Sequence, residues 1–170
     1  MSLPSSFFIR PAVVRDAASI SRIYNHFVQH STSTFQWKPE TSSQRRVLLR
    51  NRSLEHPVFV AEEEGAIVGW AALSAHSLKE GWKFTAEDSI YIAETAQKKG
   101  LGRLLLGRLI KSAEECGLHA IIARISADQA ASLALHTKMG FKEVGRLPQV
   151  GRKFDQWLDV IIMQRMIDDQ

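Results

Sequence analysis

Between a strand-like run, Ser89-Ile90-Tyr91-Ile92, and an apolar-striped segment from Arg103 to Cys116 lies Gln97-Lys98-Lys99-Gly100-Leu101-Gly102. A strand that turns through glycines into a helix builds a phosphate cradle. Glycines at 100 and 102 let the backbone approach a ligand with no Cβ in the way, and the first amides of the helix aim free N–H groups and a positive dipole end at an anion. Lys98, Lys99 and Arg103 add charge of the sign that a pyrophosphate requires. Two glycines alone are equally compatible with an ordinary strand-to-helix turn bearing a solvated basic rim. Two other Gly-rich loops fail on neighbouring positions. A dinucleotide fingerprint needs glycine at 105, where Leu105 stands, and a triphosphate loop needs a G-K-[ST] ending that does not follow Gly100.

The surrounding chain reads as one domain, residues 1–170. At 170 residues it can bury about seven-tenths of its extended surface. No window approaches the ~20 apolar residues of a membrane span, and Met1 to Ser6 lacks the charged start and apolar run of a secretory signal. The lone Cys116 cannot form an internal disulfide and reads as a small apolar residue near a helix end. A cytoplasmic location follows as the expectation. The net charge of +4 is modest and its basic residues are dispersed, so an anionic cofactor explains the local bias better than a nucleic acid does. No metal is expected.

Periodicity gives the remaining elements. A first strand covers Phe7-Phe8-Ile9, and a helix after Asp16 carries Ala17, Ile20, Tyr24 and Phe27 on one face. A second helix spans 43–52. Residues 58–62 and 66–74 form β-rich runs joined at Glu63-Glu64-Gly65 as a hairpin, and 84–92 is the next strand. Leu104, Leu105, Leu109, Ala113 and Cys116 stripe the helix that Gly117 caps. Strand 120–125, helix 130–139 ending at Gly140, and strands 141–146 and 156–166 complete an α/β sheet of six or seven strands.

Gln97 to Gly102 resembles the Q/R-x-x-G-x-G/A element of the GCN5-related N-acetyltransferases (GNAT), whose loop holds the pyrophosphate of coenzyme A. Arg22-Ile23-Tyr24-Asn25-His26, Ser33-Thr34-Phe35, Thr85 to Ile92, Ala131 to His136 with Gly140-Phe141, and Val150 to Phe154 with Trp157 to Val160 resemble the phosphinothricin and methionine sulfoximine acetyltransferase branch. The resemblance covers nearly the whole chain. It implies the GNAT fold, a mixed and mostly antiparallel sheet with helices on both faces and a splayed parallel pair that admits the pantetheine arm. It implies acetyl-CoA as cosubstrate, held by Ile90, Tyr91, Ile92, Gln97, Lys98, Lys99, Gly100, Leu101, Gly102, Arg103, Gln129, Ser132 and Lys138.

Amine acetylation has its own requirements. An ammonium has no lone pair, so a base must remove its proton before it attacks a thioester. The resemblance assigns that role to Glu87, within Thr85-Ala86-Glu87-Asp88-Ser89; the alternative is a strand-edge carboxylate paired with Lys83 or Lys153. Asp88 alternates to the opposite face and reads as a surface charge. An oxyanion needs a donor in place, for which the backbone N–H of Ile92 is the natural source. His136 stands where many acetyltransferases carry a tyrosine acid, and it reads either as that acid or as a packed helix residue. Gln129 replaces the family's asparagine, keeping the amide with one more methylene. His26 reads as structural.

The resemblance places the acceptor at Phe35, Lys79, Trp82, Lys83, Phe84 and Glu87. Lys79-Glu80-Gly81-Trp82-Lys83-Phe84-Thr85 stands for the family's Arg-x-Ala-Tyr-Arg-x-Thr, and Lys153-Phe154-Asp155-Gln156-Trp157 for its Lys-Phe-Gly-Arg-Trp. Lysine offers a point charge where arginine offers a fork. Core packing is the alternative for each aromatic, most of all for Trp157. The leading expectation is acetyl transfer to the α-amine of a small amino acid analogue. The rivals are protein or peptide acetylation and a non-catalytic coenzyme A-binding module; retention of Glu87 speaks against the last. The resemblance implies a homodimer through the apolar closing segment Gln156 to Met166, with a small-molecule amine as partner and neither nucleic acid nor membrane.

Overall fold

The structure is a computed structural model, and it describes residues 7–167. The segment Met1 to Ser6 lies outside the described residues. Eleven main elements alternate along the chain: β1 (Phe8–Pro11), α1 (Ala17–His30), α2 (Ser42–Arg50), β2 (Val58–Glu63), β3 (Ala66–Ala75), β4 (Thr85–Ile92), α3 (Leu101–Glu115), β5 (Ala120–Ser126), α4 (Ala130–Lys138), β6 (Lys142–Lys153) and β7 (Gln156–Met166). The strands form one sheet in the order β1-β2-β3-β4-β5-β7-β6.

The period-2 alternation of the strands sends side chains to two separate cores. Val60 and Trp70 face α1 and α2, where Ala17, Ile20, Ile23 and Leu49 close over them. Phe59, Ala61, Ala71, Ala86, Ile121 and Ala123 face α3, which supplies Leu101, Leu105, Leu106, Leu109 and Ala113. Each fully buried leucine contributes about 1.5–3 kcal/mol. Leu104, expected in the stripe, is half exposed, because a position between Leu101 and Leu105 projects away from the sheet.

The sheet is antiparallel except at its centre. β4 and β5 run parallel and pair only at Thr85↔Ala120, Ala86↔Ile121 and Glu87↔Ile122, after which they part. That wedge positions the site.

Two closing features differ from expectation. β6 runs to Lys153 rather than 146, because register shifts at Glu143/Gly145 and Leu147/Gly151 absorb Gly145, Pro148 and Gly151 that otherwise look like breakers. Trp157, for which core packing was the expected alternative, is exposed, with the Arg152 guanidinium 5.6 Å from its ring centre.

Candidate active site

The cradle forms as its sequence dictates. Gly100 sits at φ +86°, a left-handed conformation that a Cβ opposes, and from it α3 starts. Its carbonyl accepts from Arg103 N at 3.1 Å and Leu104 N at 3.3 Å, so the preceding helix amides, at Leu101 and Gly102, have no partner within the helix. Gln97 closes the turn by donating Nε2 to the Ile92 carbonyl at 3.1 Å. Gly102 also eases packing: a Cβ there would stand 3.0 Å from Leu135 Cδ2, so glycine lets α3 and α4 sit close together beside the cleft. Lys98, Gly100, Gly102 and Arg103 line a cleft of about 850 Å³, with Ser132, His136 and Lys138 on its α4 wall. The side chains of Lys99 and Leu101 lie elsewhere. Lys99 pairs with Glu63 at 3.2 Å, and Leu101 is a core residue against Gly69.

β4 supplies the cleft with free backbone. Ala93 N bonds the Val68 carbonyl at 2.8 Å and His76 N that of Thr85 at 3.3 Å, which fixes the odd-numbered residues of β4 as those bonded to β3. Asp88, Ile90 and Ile92 therefore turn their main-chain groups toward β5 and the wedge, where the Asp88 carbonyl, both groups of Ile90 and the Ile92 N–H lie beyond the last β5 pair and the Ile92 carbonyl accepts from Gln97. Tyr91, expected to join them, spends its main chain on β3. Its ring packs among Tyr24, Phe27 and Trp70, where burial pushes its phenol well above the ordinary value.

Consecutive carboxylates on β4 serve opposite faces. Glu87 shares the α1/α2 face, with Oε1 2.7 Å from His76 Nδ1 and Oε2 2.6 Å from Arg124 Nη2. Neither Lys83 nor Lys153 is its partner. Lys83 lies 4.8 Å from the Phe84 ring centre, and Lys153 is buried with Nζ donating to three carbonyls.

Asp88, expected at the surface, is buried on the α3/α4 face. Its Oδ2 lies 3.0 Å from His136 Nε2, while Oδ1 has no hydrogen-bond partner among the described residues. His136 Nδ1 donates to the Ser132 carbonyl at 2.8 Å. Burial disfavours the imidazolium, but the Asp88 hydrogen bond and charge and the Ser132 carbonyl outweigh it and raise the His136 pKa above 6.5. Both ring nitrogens face acceptors, the geometry of a doubly protonated ring. As an acid, His136 must turn Nε2–H away from Asp88.

The helix-connecting loop 31–37 closes one side. Gln129, the departure from asparagine, has its amide engaged there: Nε2 donates to Thr32 Oγ1 at 2.6 Å and Oε1 accepts from Ser33 Oγ at 2.8 Å. Of the acceptor residues read from the sequence, Phe35 packs over Gly151 and Trp82 lies tilted against His76 with ring centres 4.8 Å apart; these two, Lys79, Lys83, Phe84 and Glu87 all stand outside the cleft lining, which Arg124 reaches. His26 is structural, pairing with Glu94 at 3.2 Å. His76 and Arg124 were missed. An arginine inside the apolar strand Ala120-Ile121-Ile122-Ala123-Arg124-Ile125 was the signal for the second; nothing local marks the first.

A cradle at a helix start, a wedge with free strand edges and two ion-paired carboxylates on its opposite faces together define an acyl-transferring enzyme of the GNAT fold. The profile of the Acetyltransferase (GNAT) family matches residues 20–141, and the chain belongs to that family. It is 40% identical over 162 residues, 95% of each chain, to the L-methionine sulfoximine/L-methionine sulfone acetyltransferase of Salmonella typhimurium. Among solved structures it is similar to the Salmonella typhimurium acetyltransferase yncA, solved with its cofactor acetyl-CoA, with 39% identity, a TM-score of 0.93 and coverage of 96% of this chain and 95% of that one. A ribosomal-protein-alanine N-acetyltransferase from Brucella melitensis has 40% identity and a TM-score of 0.90, covering 94% of this chain and 99% of the other.

Proposed function

We propose that this enzyme transfers the acetyl group of acetyl-CoA to the α-amine of a small amino acid analogue of the methionine sulfoximine, methionine sulfone or phosphinothricin type. The observation that carries the reading is the placement of Glu87 where β4 and β5 part, on the sheet face opposite the helices that form the cradle. Bound acetyl-CoA supplies the activated thioester carbonyl. Its phosphates suit the free amides of Leu101 and Gly102 with Lys98, Arg103 and Lys138, and its extended amide arm suits the bonding edge at Asp88, Ile90 and Ile92.

Glu87 accepts the proton of the acceptor ammonium. The Ile92 N–H is a preorganised donor for charge developing on a carbonyl oxygen, a role whose loss typically costs ~10²-fold or more. His136 holds a proton on the cofactor side of the sheet and stands ready to return it to a leaving thiolate.

The assay is thiol release from acetyl-CoA against methionine sulfoximine, methionine sulfone, phosphinothricin, the common amino acids, polyamines, aminoglycosides and N-terminal peptides. The first three should lead. Glu87→Gln, which keeps shape but cannot accept a proton, should lower turnover by ~10²-fold with cofactor binding intact. Peptides dominating while amino acid analogues stay silent would replace this reading with protein or peptide acetylation, the Brucella neighbour being named a ribosomal-protein-alanine N-acetyltransferase.

The same reading includes a cytoplasmic homodimer. The apolar residues of β7 expected to form the contact, Leu158, Val160, Ile161 and Met163, are buried in the chain's own core, and the exposed apolar side chains nearby are Val144, Leu147, Val150, Phe154 and Trp157 of the β6–β7 hairpin, which a second copy would cover. Light scattering after size exclusion reads the mass directly. No helix among the described residues is long and apolar enough to cross a membrane.

A further inference from the structure

Arg124 stands on β5 two residues past Ile122, the last residue paired with β4. Its neighbours Ala123 and Ile125 enter the α3-side core, so Arg124 projects to the same face as Glu87. Nη2 meets Glu87 Oε2 at 2.6 Å, yet the side chain is 60% exposed, and it lines the cleft. One corner of the guanidinium is pinned and the rest is open. Glu87 is only 13% exposed, so Arg124 balances a buried carboxylate with one end of its fork and keeps the rest of its donors toward the cleft.

An α-amino acid is itself an ion pair, its ammonium and carboxylate carried on adjoining atoms. The Glu87–Arg124 contact presents the complementary pair of charges at matching separation. We infer that Arg124 anchors the carboxylate of the acceptor while Glu87 receives its ammonium. Of the five guanidinium N–H donors, one serves Glu87 and the others are available for bidentate recognition of a carboxylate. This assigns the carboxylate to Arg124 rather than to Lys79 or Lys83, whose side chains lie outside the cleft. His76, with the Trp82 ring tilted against it, is the other group facing Glu87, and it fixes the second carboxylate oxygen.

The inference rests on the small amino acid reading above. It is tested by comparing Arg124→Leu with wild type on methionine sulfone and on the same amine without its carboxylate, 3-(methylsulfonyl)propylamine. Wild type should favour methionine sulfone. The variant should lose ~10²-fold in kcat/KM for methionine sulfone, chiefly through KM, while the decarboxylated amine changes less than ~3-fold, so that discrimination collapses. Arg124→Lys should restore part of it. An unchanged melting shift with acetyl-CoA shows that the variant folds and binds cofactor. Retained discrimination in Arg124→Leu, or an equal loss on both amines, overturns the anchor while leaving the substrate class standing. If wild type acetylates peptides but no amino acid, the substrate class fails first and the anchor falls with it.

Discussion

Lys153→Met should destabilise the enzyme and loosen its cleft wall at once. Lys153 is only 3% exposed, at the end of β6, and its ammonium donates to Ser31 O at 2.6 Å, Thr34 O at 2.7 Å and Phe27 O at 3.3 Å. Phe27 O also accepts from Ser31 N at 3.0 Å, so the loss falls on the other two carbonyls. Each buried acceptor left bare costs about 1–3 kcal/mol. Methionine keeps the stem packing and removes the burden of burying a charge, which brings the expected net loss to about 2–4 kcal/mol. With a urea slope near 2 kcal/mol/M, the midpoint should fall by about 1–2 M. The sign with pH gives a second readout. Burial lowers the Lys153 pKa from 10.5, so between the folded value and 10.5 the unfolded chain holds more protons and stability rises with pH. The wild type should show that rise and the variant should lack it. Because Ser33 in the same loop bonds Gln129 and both line the cleft, the KM for acetyl-CoA should rise several-fold. A urea midpoint within about 0.3 M of wild type would refute the reasoning.

Gly102→Val would bring a Cβ to 3.0 Å from Leu135 and force the cleft walls apart, so the rise in Tm produced by acetyl-CoA should shrink by more than half; Gly145→Ala, where space is open, serves as control. Equal protection in both would mean that the cradle lies elsewhere. Asp88→Asn removes the partner that raises the His136 pKa. That stabilisation is fully present below the unfolded value near 6.5 and is lost as pH climbs through the folded one, so urea titrations should find a larger loss at pH 6 than at pH 9. Losses of equal size at the two pH values would exclude a charged pair.

The loop Gln97 to Gly102 and the helix after it were legible because glycine conformation, helix amides and apolar periodicity are local properties. The order of the strands was not; the resemblance to a family supplied it. Alternation correctly separated Glu87 from Asp88, but it could not show that the far face was covered by α4, which turned an apparent surface charge into a buried partner of His136. His76 and Arg124 lie 11 residues before and 37 after Glu87, and only the central strand pairing brings them together. Exposure of Trp82, Phe84 and Trp157 was likewise not legible, since it depends on what packs beside them. Lys153 read as a family lysine of uncertain partner, and only the fold sets it beneath the end of α1.

The short β4–β5 ladder has a consequence for life between turnovers. A strand border is ordinarily blunted by charge, proline or a covering loop, because naked amides and carbonyls invite a stranger's backbone. Here such borders lie inside the sheet, from Asp88 onward on one side and beyond Ile122 on the other. In the proposed binding mode the pantetheine arm would be more than a handle for the acetyl group: it would act as a removable strand segment that hides the β4 border. Starving a cell of coenzyme A would leave the enzyme idle and also sticky along its own midline.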